Sequence, residues 1–164
     1  MLLLIAGVAV TKMENIGQEL KEIVEKDILL IETITEITGN QLEQAILFER
    51  ALQYSGKMAI SELETKAFEY NKEKFEKLSH LVDQELKDAE KLAEKAIETA
   101  VSDHTRKEFI AIDVHLKVIE KEHMDYEQHV LNVFELLEEG HMQEAFELAE
   151  KVEEQEDQLK HELR

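Results

Sequence analysis

Two histidines and a tyrosine interrupt an aliphatic helical stripe in the segment IEKEHMDYEQHV, residues 119–130. Alternating three- and four-residue steps put Ile119, His123, Tyr126 and Val130 on one face, with His129 at its edge. Leucine would fill such a face more stably. A buried imidazole or phenol without a partner costs on the order of 1–3 kcal/mol, so these side chains need hydrogen bonds or a ligand. Imidazole combined with carboxylate suits iron, manganese or zinc. Glu120 and His123 form Glu-x-x-His, which aims both side chains along one helix flank. Glu43, Glu122, His129 and Glu156 are the further candidate ligands, and His123 or His129 is also a candidate for non-covalent haem. A small organic ligand is a third reading, with Gln41, Gln44, Tyr126, Glu49 and Arg50 as its contacts. The fourth is a satisfied polar layer that fixes helix register, as a buried asparagine does in a coiled coil.

Those residues must be carried by helices. The 164 residues include no proline and only five glycines, and the stripes are long. The first helix is expected over about 14–54, its stripe carrying Ile23, Ile31, Ile34, Thr38, Gln41, Ala45, Phe48 and Leu52, and Ser55-Gly56 ends it. Ser61 and Glu64 form a capping box that opens a second helix over about 61–100. Ser102 and Asp103 cap a third over about 103–139, Gly140 closes it, and a fourth covers about 141–164. Short turns make neighbours antiparallel. The expected fold is therefore all-α, an up-down-up-down four-helix bundle with long helices.

Counting from the turns places residues that share a level. His123 to His129 should face Gln155 and Glu156 on the fourth helix, residues 75–82 on the second and residues 33–41 on the first, with Glu43 and Gln44 just beyond. His80, His104, His141 and His161 read as solvent-facing, and His115 as core-edge packing.

Composition removes several function classes. With 38 acidic and 19 basic residues the formal charge is −19, which repels nucleic acid and anionic headgroups. No cysteine is present, so disulfides, thiolate catalysis, zinc-thiolate sites and covalent haem are excluded. No nucleophile is paired with a base and no glycine-rich phosphate loop occurs, so no catalytic residue is assigned. The one enzyme reading that stays open is a ferritin-like di-metal iron-binding protein or oxidase. That pattern calls for two Glu-x-x-His motifs, whereas Glu76 and His80 are one residue too far apart for the second.

Residues 1–10, MLLLIAGVAV, are continuously apolar but about half the ~20 needed to span a bilayer. They lack the basic segment of a secretory signal. We read residues 1–13 as the end of a transmembrane helix running into the soluble one, with a buried core helix as the alternative. The stripe still runs at Leu159 and Leu163, and a second membrane helix after Arg164 is expected.

The run QLEQAILFERAL, residues 41–52, with EHMDYEQHV in the third helix and the membrane-like N-terminus, resembles the periplasmic four-helix-bundle sensor region of bacterial methyl-accepting chemotaxis receptors. Related regions occur in membrane-bound diguanylate cyclases. The resemblance implies a homodimeric extracytoplasmic sensor domain of an inner-membrane protein, which binds a small ligand or metal and passes a helix displacement across the membrane. Receptors for amino acids hold their ligand with arginines, whereas Arg50 is the one arginine of the first helix. Beside Glu49, it also reads as a surface or dimer-contact pair.

Overall fold

The computed structural model describes residues 28–162, together with Gly17 and Lys26. The apolar segment 1–10, the stripe positions Ile16, Leu20 and Ile23, the side chain of His161, and Leu163 lie outside the described residues. Four helices follow one another: α1 (Ile28–Ser55), α2 (Glu62–Thr99), α3 (Asp103–Glu138) and α4 (Met142–Glu162), with a short 3-10 turn at Met58–Ile60 before α2. They form an antiparallel all-α four-helix bundle, in which α1 packs along α2, α2 along α3 and α3 along α4.

Local chemistry sets the ends of these helices. The Ser61 hydroxyl accepts from the Glu64 amide, and the Ser102 hydroxyl from the Thr105 amide, each satisfying one otherwise unpaired N–H of a first turn. At the end of α3 the His141 amide donates to the Leu136 carbonyl at 2.8 Å and the Gly140 amide to the Leu137 carbonyl at 3.2 Å. This is a Schellman closure, and its left-handed residue is Gly140 at φ +83°, where a side chain would be strained. Antiparallel alignment is visible in contacts between distant residues: Lys26 Nζ donates to the Thr99 hydroxyl, and Lys72 Nζ to the Glu138 carboxylate, both at 2.6 Å.

The core divides into two apolar clusters. One holds Phe48 of α1, Phe68 and Phe75 of α2, Tyr126 and Phe134 of α3, and Ala145, Ala149 and Val152 of α4. The other holds Leu30 and Ile37 of α1, Val82, Leu86, Ala89, Ala93 and Ala96 of α2, and Phe109, Leu116 and Ile119 of α3, with no residue from α4 among the described residues. Between the two, all three long helices turn polar side chains inward: Gln41 and Gln44 on α1, Ser79 on α2 and His123 on α3 are buried.

In the first half of α1 the buried stripe lies one residue away from the sequence expectation. Leu30 and Ile37 are buried, while Ile31 is 62 % exposed and Thr38 faces solvent. The segment ILLIETITEI is apolar on two adjacent faces, so periodicity alone does not choose between them. The inward row 30–37–41–44–48 is continuous with the buried half of the helix, and that continuity decides the outcome. The exposed threonines turn back on the helix: the hydroxyls of Thr33, Thr35 and Thr38 donate to the carbonyls of Leu29, Ile31 and Ile34. Among the described residues no helix is long and apolar enough to cross a membrane.

Candidate metal centre

His123 is completely buried, and neither ring nitrogen has a hydrogen-bond partner of acceptable geometry. Its Nε2 atom lies 3.8 Å from Asp83 Oδ1 on α2. Glu127, one turn further along α3, brings a carboxylate to the same place. Asp83, His123 and Glu127 each offer a ligand atom, and the three atoms lie within 4.8 Å of one another. The centre of a triangle with 4.8 Å edges is about 2.8 Å from each corner, so sub-ångström movements would give the 2.0–2.2 Å bonds of a first-row divalent ion. Asp83 keeps 29 % of its side chain in solvent, which leaves an entry path along the α2–α3 seam.

The electrostatics favour a cation. Burial pushes the His123 imidazole below its ordinary pKa, while Asp83 and the nearby Ser79 carbonyl offset part of that effect. The neutral ring is the form that ligates metal. Burial, then the Asp83 charge, pushes the Glu127 carboxyl above its ordinary range, and His80 and the Ser79 hydroxyl act in the opposite direction. Two carboxylates and a neutral, unpartnered imidazole make a site short of positive charge, which a bound ion would supply.

The polar layer supports this site from the side. Gln44 Nε2 donates to Ser79 Oγ at 2.7 Å, so the serine that neighbours both His123 and Glu127 is tied to α1. The Gln44 Oε1 atom and both polar atoms of the Gln41 amide are buried without a hydrogen-bond partner. Tyr126 is buried against Phe75, with ring centroids 6.1 Å apart, and its hydroxyl is likewise unpartnered. Burial, followed by the charges of Glu156 and Glu49, raises the Tyr126 pKa well above that of a free phenol, so the ring stays protonated.

The other residues singled out in the sequence fall elsewhere. His129 is half-buried, and its Nδ1 meets Gln155 Oε1 of α4 at 2.8 Å, a contact in which the imidazole donates. That pairing fits the level count that set His129 opposite Gln155. Glu156 is half-buried on α4, near enough to Tyr126 to act on its hydroxyl. Glu120 is half-buried and lies outside the trio; its charge acts on Glu90, whose carboxyl is raised by burial and then by Glu120. Glu43, Glu49 and Arg50 are exposed on α1. The structure therefore gathers His123 with Asp83 and Glu127, and does not bring Glu120, Glu43, His129 or Glu156 into that trio.

Asp83 and Glu127 escaped the sequence reading because α2 and α3 are rich in acidic residues and neither lies on the apolar stripe. The signal that distinguishes them is a pair of short repeats on facing helices, His80-x-x-Asp83 and His123-x-x-x-Glu127. No protein-family model, curated protein or solved structure matches this chain, so the site is read from its own geometry.

Proposed function

We propose that the bundle binds one divalent transition-metal ion between α2 and α3, through Asp83, His123 and Glu127, and acts as a metal-responsive sensor domain. The carrying observation is His123, buried and without a hydrogen-bond partner, with its Nε2 turned toward a carboxylate at a spacing too long for a hydrogen bond. Imidazole and carboxylate on facing helices match the ligand preference of such ions. The resemblance of residues 41–52 and of EHMDYEQHV to chemoreceptor sensor regions supports placing this binding event outside the cytoplasm, in a transmembrane receptor. The membrane-anchoring part of that reading rests on residues 1–10. The same reading makes the protein a homodimer through α1. Exposed Leu42 and Ile46, one helical turn apart with Glu49 and Arg50 beyond them, support that contact.

Metal analysis of the purified chain after incubation with manganese, iron or zinc salts tests the binding. One ion per chain is expected for wild type and none for His123→Leu, with the helical circular dichroism unchanged. Absence of any bound metal in the folded wild type would remove the reading. A ferritin-like di-metal protein is the second reading. It is favoured by Glu90, whose carboxyl is raised by burial and then by the Glu120 charge, and by Glu90 Oε1 and Asp113 Oδ1, which are buried and unpartnered. Two ions per chain would select it.

A further inference from the structure

We propose that the outer stripe of α3 docks the outer stripe of α1 of a second copy, with the two bundles side by side in one orientation. This contact is independent of the metal centre, and it uses the half of α1 that precedes Leu42 and Ile46. Three- and four-residue steps put Lys107, Ile110, Val114, Lys117, Val118 and Lys121 on one outer stripe of α3. All six are exposed and none is acidic, in a chain that holds 38 acidic residues. Val114, Lys117, Val118 and Lys121 also line a groove of about 580 Å³, together with Glu122, Asp125 and Gln155. The first half of α1 carries the complement. Ile28, Ile31, Glu32 and Thr35 are exposed along its outer stripe, and Glu36 is exposed at the edge. Arg50 is the one cation between Ile28 and Ser55.

Contacts with α2 show that the two stripes share a height. Lys26 meets Thr99 and Asn40 meets Glu85, which sets Ile31 level with Glu94 of α2. Lys117 Nζ lies 4.0 Å from Glu94. Ile31 is therefore level with Lys117, Ile28 with Val114, and Glu32 and Glu36 with the turn that begins at Val118. Both helices run antiparallel to α2, so they are parallel to each other, and both pack along α2 rather than along one another. Two copies set side by side in one orientation bring aliphatic side chains against aliphatic ones. Glu32 and Glu36 then meet Lys117 and Lys121 with no axial shift.

Charge decides the pairing. Setting either stripe against its own kind would oppose lysine to lysine or glutamate to glutamate, and like charges across an interface reject a partner. The contact is therefore heterologous, from α3 of one copy to α1 of the next, and each added copy leaves one stripe of each kind free. One helix-on-helix stripe is small for a protein interface, so the association is weak. The −19 charge of each copy opposes it further until salt screens the repulsion.

The chain has no cysteine, so one introduced cysteine per copy reports which surfaces meet. Ile31→Cys and Val118→Cys both alter exposed side chains, and circular dichroism checks that each variant keeps its helices. Mixed in equal amounts at physiological ionic strength and oxidised, the two should give mainly the 31-to-118 product. Its yield should exceed that of the 31-to-31 or 118-to-118 product by at least about fivefold. Lys117 is already tied to Asp113 of its own helix at 2.8 Å, so Lys121 is the charge to reverse. Lys121→Glu in the Val118→Cys copy should remove the excess, and Glu36→Lys in the other copy should restore it. Products in statistical proportion, an excess of the 31-to-31 product, or an excess that Lys121→Glu leaves intact would each overturn the contact. Binding of the wild type to vesicles of anionic phospholipid, with no 31-to-118 excess, would overturn it too and assign the stripe to a lipid surface.

Discussion

The two apolar clusters on either side of the polar layer solve the same problem with different materials. At the end where α4 is present, four helices close around rings: Phe134 stands 5.6 to 5.9 Å from Phe48, Phe68 and Phe75, two of the three contacts being edge-on. At the other end the described core, drawn from α1, α2 and α3, converges on alanines 89, 93 and 96 of α2, with Leu86, Phe109 and Leu116 filling the gaps. Small residues let backbones approach where the described core is drawn from α1, α2 and α3, and large rings fill the space where α4 joins them. Among the described residues near this second cluster, Ile28, Ile31, Ile110, Val114 and Val118 are exposed.

Truncating each core should expose this difference most strongly. Phe134→Ala removes the ring that three others share and leaves a cavity walled by four helices, so it should destabilise the chain by about 4 kcal/mol. Leu116→Ala sits where neighbouring alanines and an open side allow collapse, and about 2 kcal/mol is expected. Urea unfolding of the two variants checks the order. Equal losses would show that the two ends pack alike.

Between the clusters, His123→Leu should act in the opposite direction on the metal-free protein, raising stability by about 1 kcal/mol, because it removes a buried polar group together with its need for a partner. The pH dependence carries a sign. The folded-state pKa of His123 lies below the ordinary 6.5, so the unfolded chain takes the proton first. Its contribution is therefore complete above 6.5 and falls as pH drops toward the folded-state value. Thermal unfolding should show the advantage of His123→Leu over wild type growing between neutral pH and pH 5. A constant difference across that interval would mean that the ring is not shielded from protons.

The smallest effect concerns the half of the bundle around the second cluster. Glu90 is raised by burial and by Glu120, so its charged form disfavours folding at neutral pH, and the penalty disappears as pH falls through the raised folded-state pKa. Glu90→Gln should raise the melting temperature by about 1–2 °C at pH 7, the shift of a fraction of a kcal/mol in a chain of this size, and by nothing near pH 4. A lower melting temperature at pH 7 would show that the Lys117 attraction outweighs the burial.

Much of this architecture was legible in the residues. Ser61, Ser102 and Gly140 mark helix ends by side-chain and backbone chemistry that acts within one turn, and the three- and four-residue spacing of Phe75, Val82, Leu86 and Ala89 marks a buried face. His123 and Tyr126 were recognisable as inward-facing because they replace aliphatic residues on such a face. The row of α1 that turns inward at Leu30 and Ile37 was ambiguous, since two faces are equally apolar there. The partners of His123 were not legible, because which carboxylate meets an imidazole depends on the rotation and axial offset of two helices. A level count fixes that offset only to about one turn, enough to pair His129 with Gln155 and too coarse to choose Asp83 among the carboxylates of α2.

The place of the polar layer along α2 has a mechanical meaning. The helix runs for 38 residues from Glu62 to Thr99, and Ser79 and Asp83 sit near its midpoint, leaving an arm of roughly 27 Å on either side at 1.5 Å per residue. With no proline in the chain to put a hinge in either arm, α2 behaves as a stiff beam resting on a central fulcrum. A tilt of about 5° at that fulcrum carries the two ends roughly 2 Å in opposite directions, on the order of the helix shifts seen in switching proteins. A change in the spacing of α2 and α3 at Asp83 and His123 is therefore delivered at both ends of the bundle at once, with opposite sign.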